Sequence, residues 1–310
     1  MEILADDPRT AVPFWAVQSS WKKIALDDLT EELRPAAQRI FPTGFIYRTM
    51  VEFNSDWRYL LLVDHAKESH YDIITGLCHD GAALPGKMLC LAGSGEGFHG
   101  FHARPWVSPP GNIYLVVYLS PGQPVKNFGP GFMVLAAVSA VEAIDEFADL
   151  KDRAQIKWVN DIWVDNHKVG GVLAYSQVEG NIVTGVVLGI GLNVETTPRV
   201  TPSLFVPRAG CLADFSESEE CRRDFFLQSL IDRLGKNCGR LLRGEYPALL
   251  EIYRSRSIII DRMVEIIPDT PDEKQEPSVS GRVRGIGENL EVYLDGRTSP
   301  IRQGRLVIKN

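Results

Sequence analysis

Long hydrophobic runs are missing from this sequence. The longest, Ile113–Leu119 and Phe132–Val138, fall far short of the roughly 20 residues that a membrane-spanning helix needs. The first residues, MEILADDPRT, are acidic and lack the apolar core of a secretory signal. Cysteine is scarce: Cys78, Cys90, Cys211, Cys221 and Cys238 are an odd number with no CxxC pair, which argues against a disulfide framework and a zinc ribbon. No excess of positive charge exists either. Lys+Arg number 33 and Asp+Glu 40, a net charge of −7, the wrong sign for a general grip on nucleic acid. No internal repeat or low-complexity tract occurs. What is present is ordinary for a globular chain of 310 residues, with 45% hydrophobic and 24% charged residues, so disorder is excluded. A soluble, cytoplasmic protein without membrane or nucleic-acid partners is expected.

Apolar spacing predicts helices over Leu29–Ile40, Phe132–Phe147, Glu220–Leu242 and Pro247–Arg254. The second follows Pro130-Gly131 and is apolar around most of its surface, so it should pack broadly against a sheet. Strands are predicted at Lys87–Ala92, Ile113–Leu119, Ile156–Val159, Asp161–Asp165, Gly171–Gln177 and Asn181–Ile190, with hairpin turns at 165–168 and 178–181. Strands followed by helices, without strict alternation, indicate an α+β fold with a mixed or antiparallel sheet flanked by helices. Asp64, His65, Glu68 and His70 tempt as ligands. Their spacing does not put them on one helical face, and they read as a solvated helix. Beyond Arg256 come a Pro-rich charged loop at 268–277 and four short strands, Met263–Ile267, Val279–Ile286, Leu290–Leu294 and Leu306–Ile308, the pattern of a small β-barrel.

Gly95-Glu-Gly97-Phe-His-Gly100 is a literal GxGxxG, which in a dinucleotide fold must open a helix. Pro105, Pro109 and Pro110 follow and forbid that helix. More telling is Lys157-Trp-Val-Asn-Asp161, continuing IWVDNHK to Lys168 and VGG to Gly171. It is joined about twenty residues later by Gly189-Ile-Gly191-Leu-Asn193, a buried strand whose glycines let backbone approach a ligand.

These segments resemble the catalytic core of biotin protein ligases, whose usual wording is KWPNDL…K…G and G.GIN. Arg104-Pro-Trp106-Val-Ser-Pro-Pro-Gly-Asn-Ile-Tyr-Leu115 is similar to the family's RPW.SPPGNLY, and GRVRGIGENLEVYLDG…QGRLVI to its C-terminal SH3-like barrel. The resemblance covers roughly residues 85–310. It implies a class II synthetase-like sheet domain over 46–256 and an SH3-like barrel over 257–310. Residues 1–45 would form an N-terminal extension, acidic and without a helix-turn-helix.

The resemblance also implies an ATP-dependent acyl–protein ligase. A carboxylic acid, foremost biotin, reacts with ATP and Mg2+ to an acyl-adenylate and passes to a lysine of a biotinyl- or lipoyl-type carrier domain. Two anions must meet, so a fixed cation is needed. Lys168 stands at the place of that lysine, with Arg104 as a second catalytic residue. Trp106, Lys157, Asn160, Asp161, Gly191 and Asn193 fall where the nucleotide is held. Gly95, His99, Gly100, Phe101 and Gly171 fall where the acid is held, and no resident metal site is implied. Family members often pair through the catalytic sheet, which implies a homodimer.

One segment departs from the pattern. The family's glycine loop reads GRGRRG, and here it is Phe98-His-Gly100-Phe-His-Ala-Arg104. Phe101 stands where an arginine would clamp phosphate, His99 where an arginine would bind the acid, and Gly95 where a glutamine belongs. Phenylalanine cannot imitate a guanidinium fork. The family's Ser-Thr-Asn has only an echo in Phe53-Asn-Ser55-Asp56-Trp57, and 64–84 reads as an insertion. Two alternatives therefore stand beside the biotin reading: a ligase for another acid such as lipoate or octanoate, and a non-catalytic binding protein on the same fold.

Overall fold

The computed structural model describes residues 1–11, 20–52, 56–218, 221–268 and 278–309. In chain order the first half contains β1 (Glu2–Ala5), α1 (Pro8–Ala11), β2 (Lys22–Ala25), α2 (Arg34–Ile40), β3 (Phe45–Met50), β4 (Tyr59–Ala66), α3 (His70–His79), β5 (Met88–Gly95), β6 (Ile113–Leu119) and α4 (Phe128–Ile144). The second half contains β7 (Ala154–Lys157), β8 (Asp161–Val164), β9 (His167–Glu179), β10 (Ile182–Leu192), α5 (Arg223–Leu242), α6 (Tyr246–Ser255), β11 (Met263–Ile267), β12 (Val279–Ile286), β13 (Val292–Leu294) and β14 (Arg305–Ile308).

Ten strands form one sheet in the order β2-β3-β1-β4-β5-β6-β10-β9-β8-β7. Only the β1–β4 and β4–β5 pairs run parallel, so the expected α+β class with a mixed, mostly antiparallel sheet holds. The centre of the sheet is buried on both faces, as its unbroken apolar strands require. On β6, Ile113, Leu115, Val117 and Leu119 join the core beneath α4, α5 and α6. Tyr114, Val116 and Tyr118 point the other way, into a core with α2 and α3. Helix α4 is buried nearly all round because α5 and α6 cover the side that the sheet does not.

Three expectations change. Residues 1–45 are no separate extension, since β1 and β2 are integral strands of the main sheet. Four-residue strands such as EILA show too little alternation to be read from sequence. The 64–84 insertion is the end of β4, helix α3 and the approach to β5, within the same sheet domain. Asp64 and His65 close a strand, and His70 is only 3% exposed, so no solvated helix face joins them. The echo at Phe53–Ser55 and most of the 268–277 loop lie outside the described residues.

The C-terminal strands form a second antiparallel sheet, β13-β12-β11-β14, which is open at its two ends among the described residues. It is tied to the first domain by hydrogen bonds. The Trp158 indole donates to the Leu290 carbonyl at 2.7 Å, and Arg254 Nε to the Ile286 carbonyl at 2.8 Å. The connection is anchored as well: Ile156 N donates to Arg256 O at 2.8 Å and Ile258 N to Ile156 O at 3.0 Å, alongside β7.

Candidate functional site

The site begins with two glycines. Gly171 on β9 and Gly191 on β10 are direct partners in the antiparallel ladder. With no side chain on either, the Trp106 indole settles onto the pair. A Cβ on Gly191 would lie 2.9 Å from indole Cε2, and one on Gly171 3.5 Å from Cζ3. The indole Nε1 is buried there without a hydrogen-bond partner.

Beside this platform stand two lysines. Lys168, the second residue of β9, is pinned through its backbone, donating to Arg208 O at 2.9 Å and accepting from Gly210 N at 3.0 Å. Its ammonium donates to Asp161 Oδ1 at 2.5 Å and lies 5.3 Å from the centre of the Trp106 ring. Lys157, at the end of β7, is buried. Its ammonium donates to the Phe205 carbonyl at 2.7 Å and stands 4.9 Å over the Trp163 ring. Burial pushes its pKa down to about 8. Asp161 opposes that shift, while Lys168, Arg305 and Arg104 add to it by repulsion. Several cations therefore share one carboxylate, an arrangement suited to a polyanion.

The amides are structural in this state. Asn160 Nδ2 donates to Val172 O at 2.7 Å, tying the turn before β8 to β9. Asn193 Nδ2 donates to Gly210 O at 3.0 Å, but its buried Oδ1 has no partner.

The loop after β5 folds back as a narrow hairpin, with Trp106 N donating to Phe98 O at 2.8 Å and Gly100 N to Arg104 O at 2.7 Å. At its tip His102 and Ala103 both adopt positive φ, a conformation that L residues rarely adopt and that concentrates at ligand-clamping segments. Phe101 is 40% exposed, and Arg104 Nε donates to the Phe101 carbonyl at 2.7 Å. His99 differs from expectation. Its Nε2 meets both oxygens of Asp72 on α3, at 2.8 and 2.9 Å, and its Nδ1 meets the Gly100 carbonyl at 3.0 Å. Burial alone would lower the His99 pKa, but Gly100 O and Asp72 outweigh it and raise the value above the ordinary one. With both ring nitrogens so engaged, His99 fastens the loop to α3 and has no donor left for an acid.

The platform, both lysines, the two amides and the loop residues Phe98–His102 and Arg104 open onto a cavity of about 640 Å³, lined by every site residue expected from the sequence except Gly95, which ends β5 behind the loop. The cavity also has walls that sequence reasoning missed. Ser69, His70 and Tyr71 come from the start of α3, Phe205 from the segment after β10, and Leu290 and Arg302–Leu306 from the C-terminal sheet unit. The α3 wall had one legible signal, an apolar run followed by the N-cap Ser69, whose hydroxyl accepts from Asp72 N at 3.4 Å. The C-terminal wall had none, being a purely tertiary contact.

The ten-stranded sheet and its helices have the fold of biotin protein ligases. The structure of the biotin protein ligase from Aquifex aeolicus in complex with biotin and ATP superimposes with a TM-score of 0.63 at 18% identity, covering 83% of this chain and all of that one. Residues 88–193 match the model of the biotin/lipoate A/B protein ligase family. Among curated relatives, the bifunctional ligase/repressor BirA of Bacillus subtilis is 34% identical over 119 residues, 38% of this chain and 36% of that protein. The biotin–[acetyl-CoA-carboxylase] ligase of Paracoccus denitrificans is 31% identical over 115 residues, 37% of this chain and 48% of that protein. The chain thus spans about a third to a half of the length of these two relatives.

Proposed function

We propose that the protein is an ATP-dependent acyl–protein ligase that activates a carboxylic acid, foremost biotin, as its adenylate. The observation that carries this reading is the pairing of Trp106 on the bare Gly171–Gly191 platform with the ammonium of Lys168 beside it. ATP fits the residues present. A planar base can stack on the indole, and the buried Trp106 Nε1 and Asn193 Oδ1 are polar atoms awaiting partners. Lys157, Lys168 and Arg104 supply charge for the phosphates. No group of three or more His, Cys, Asp or Glu side chains suited to a metal occurs among the described residues. Mg2+ would therefore enter on the phosphates, with Asp161 the nearby carboxylate.

In the first step a carboxylate oxygen attacks the α-phosphorus, the bond to the bridging oxygen breaks, and pyrophosphate leaves. Lys168 offsets the meeting of two anions and stabilises the charge on the transferring phosphorus. In the second step the neutral amine of a carrier lysine attacks the acyl carbon, forming the amide, releasing AMP and losing a proton. His99 acts here as a positioning residue for the loop, and Phe101 gives the loop an apolar tip in place of a phosphate clamp.

The remaining assignments belong to the same reading. The catalytic unit is followed by the small C-terminal sheet, read as the counterpart of an SH3-like barrel, and the boundary lies near residue 257. The acceptor is a lysine-bearing carrier domain, the protein works in the cytoplasm where ATP is available, and it pairs as a homodimer. No helix among the described residues is long and apolar enough to cross a membrane.

The test is to incubate the protein with Mg·ATP and, separately, biotin, lipoate and octanoate, and to look for acyl-AMP by mass spectrometry beside an active control ligase. An adenylate with one acid supports the reading. None with any of the three overturns it in favour of a binding protein.

A further inference from the structure

Asp72 lies outside the lining of the cavity, yet its carboxylate grips the loop that builds one wall. It belongs to the first turn of α3, and both of its oxygens face Nε2 of His99, at 2.8 and 2.9 Å. The other ring nitrogen of His99 faces the Gly100 carbonyl at 3.0 Å. Both neighbours are acceptors, so both nitrogens donate and the ring is an imidazolium. The bond to Asp72 is then charge-assisted, stronger than one between neutral groups. The Tyr71 ring stands edge-on to the imidazole, with ring centres 6.3 Å apart, and completes the seat.

His99 sits in the outgoing limb of the 98–106 hairpin and pairs with Pro105 in the returning limb. The returning limb carries Arg104 and ends at Trp106, the ring that settles on the Gly171–Gly191 platform. Fastening His99 therefore fixes where the nucleotide shelf and one of its cations stand. The other ties of this segment are of the same kind. Phe98 packs edge to face on Tyr114 with ring centres 5.5 Å apart, Ser108 Oγ donates to Trp106 O at 3.0 Å, and Gly95 N donates to Ser108 O at 3.2 Å. All of these contacts are made within the chain. Where the resemblance implies an arginine open to an anion, the chain has an imidazolium already committed to its own carboxylate.

A loop that one ligand has to order makes the second ligand bind more tightly, because the ordering cost is met only once. A loop that is already held loses that coupling. We propose that Asp72, acting through His99, latches the 98–106 hairpin before either substrate arrives, so that the nucleotide half of the site is complete without the acid. Asp72 is thus a positioning residue, and nucleotide and acid enter in either order. The proposal rests on the ligase reading for the nucleotide.

The experiment measures binding of a Mg2+-loaded ATP analogue, methylene-bridged between its α- and β-phosphates, to the full chain by calorimetry. It is done without acid and with biotin, lipoate or octanoate. Hydrogen exchange of the Gly100 and Trp106 amides, which close the hairpin, is followed without any of them. The intact protein should bind the nucleotide without acid, and each acid should change that affinity by less than about threefold. Both amides should be protected. Asp72→Ala and His99→Leu should each weaken acid-free binding by about 10- to 100-fold and release both amides. The double variant should bind no more weakly than either single one, since both remove the same bond. Asp72→Glu, which keeps the carboxylate, should restore part of the affinity. Losses that add in the double variant would assign Asp72 to the stability of α3 alone and overturn the proposal. So would unchanged binding in a folded Asp72→Ala protein, unprotected amides in the intact one, or nucleotide binding that appears only with an acid. Protected amides with no nucleotide bound under any condition would instead overturn the ligase reading and leave the latch standing.

Discussion

The ammonium of Lys168 and the carboxylate of Asp161 face each other at 2.5 Å, both less than a quarter exposed, from the two strands of one hairpin. Asp161 holds Lys168 in place while leaving it beside Trp106. Replacing Lys168 by Ala should reduce adenylate formation by about 100- to 1,000-fold, the scale seen when one donor to a developing charge is removed. The melting temperature should fall as well, because Lys168→Ala leaves the largely buried Asp161 carboxylate without its cation. Turnover assays and thermal unfolding read the two effects separately. Adenylate formation at the original rate in Lys168→Ala would remove the lysine from the mechanism.

Lys157 couples activity and stability to pH in opposite directions. Its folded pKa is about 8 against an ordinary 10.5. Below pH 8 it is charged in both folded and unfolded chains. Between about 8 and 10.5 the folded chain has released the proton and the unfolded chain still binds it, so this group's contribution to stability rises with pH. Nucleotide affinity should fall over the same range as the cation disappears. Lys157→Met should weaken nucleotide binding at pH 7 and flatten its decline above pH 8, as measured by titration with ATP.

His70 predicts a sensitivity of the same sign in acid. With a folded value of about 4 against 6.5, the unfolded chain takes up the proton first as the pH falls. Stability is lost progressively from about pH 6.5 to pH 4, on the order of 3 kcal/mol from this group. Denaturant midpoints across that window, compared with His70→Asn, isolate its share. Parallel pH profiles for the two proteins would contradict it.

His99, held by Asp72, is a third group whose titration is tied to the fold. Because its folded pKa is raised, His99 contributes stability that is fully present below its unfolded value and is lost as the pH rises through the folded one. Asp72→Asn should bring the His99 titration, followed by NMR, to lower pH. It should also loosen the 98–106 hairpin, visible as faster amide exchange there.

The glycine platform can be tested by filling it. Gly191→Ala places a methyl 2.9 Å from the indole, within contact distance of a ring that is not a flexible chain end. Trp106 must move. Tryptophan emission should shift, and nucleotide binding should weaken by about 10-fold or more, equivalent to at least ~1.4 kcal/mol.

The parts of the fold readable from sequence were those with strong local pattern. Ile113–Leu119, Met263–Ile267 and Val279–Ile286 were delimited to the residue, since their apolar residues end abruptly at Gly, Pro, Ser or charged neighbours. The cavity residues from Arg104 to Asn193 were legible because close backbone approach and fixed charge demand particular residue types. What stayed hidden depended on distance along the chain. β1 is only four residues long, and its place between β3 and β4 is a matter of pairing, not of its own composition. His70 looked solvated because its burial arises from the way α3 lies on the sheet. His99 looked like an anion binder because nothing in sequence shows that Asp72, 27 residues earlier, meets its ring.

The bond from Trp158 to Leu290 gives the division of the chain a different meaning. Trp158 directly follows Lys157, so the strand that presents a cation to the cavity is held by the unit that also builds the opposite wall. A fragment cut near residue 257 would keep the lysines, the tryptophan and the glycines yet lose part of the enclosure around them. Modularity in secondary structure is therefore not modularity in inheritance: substitutions in the C-terminal sheet would be read out as changes in the chemistry of the larger one.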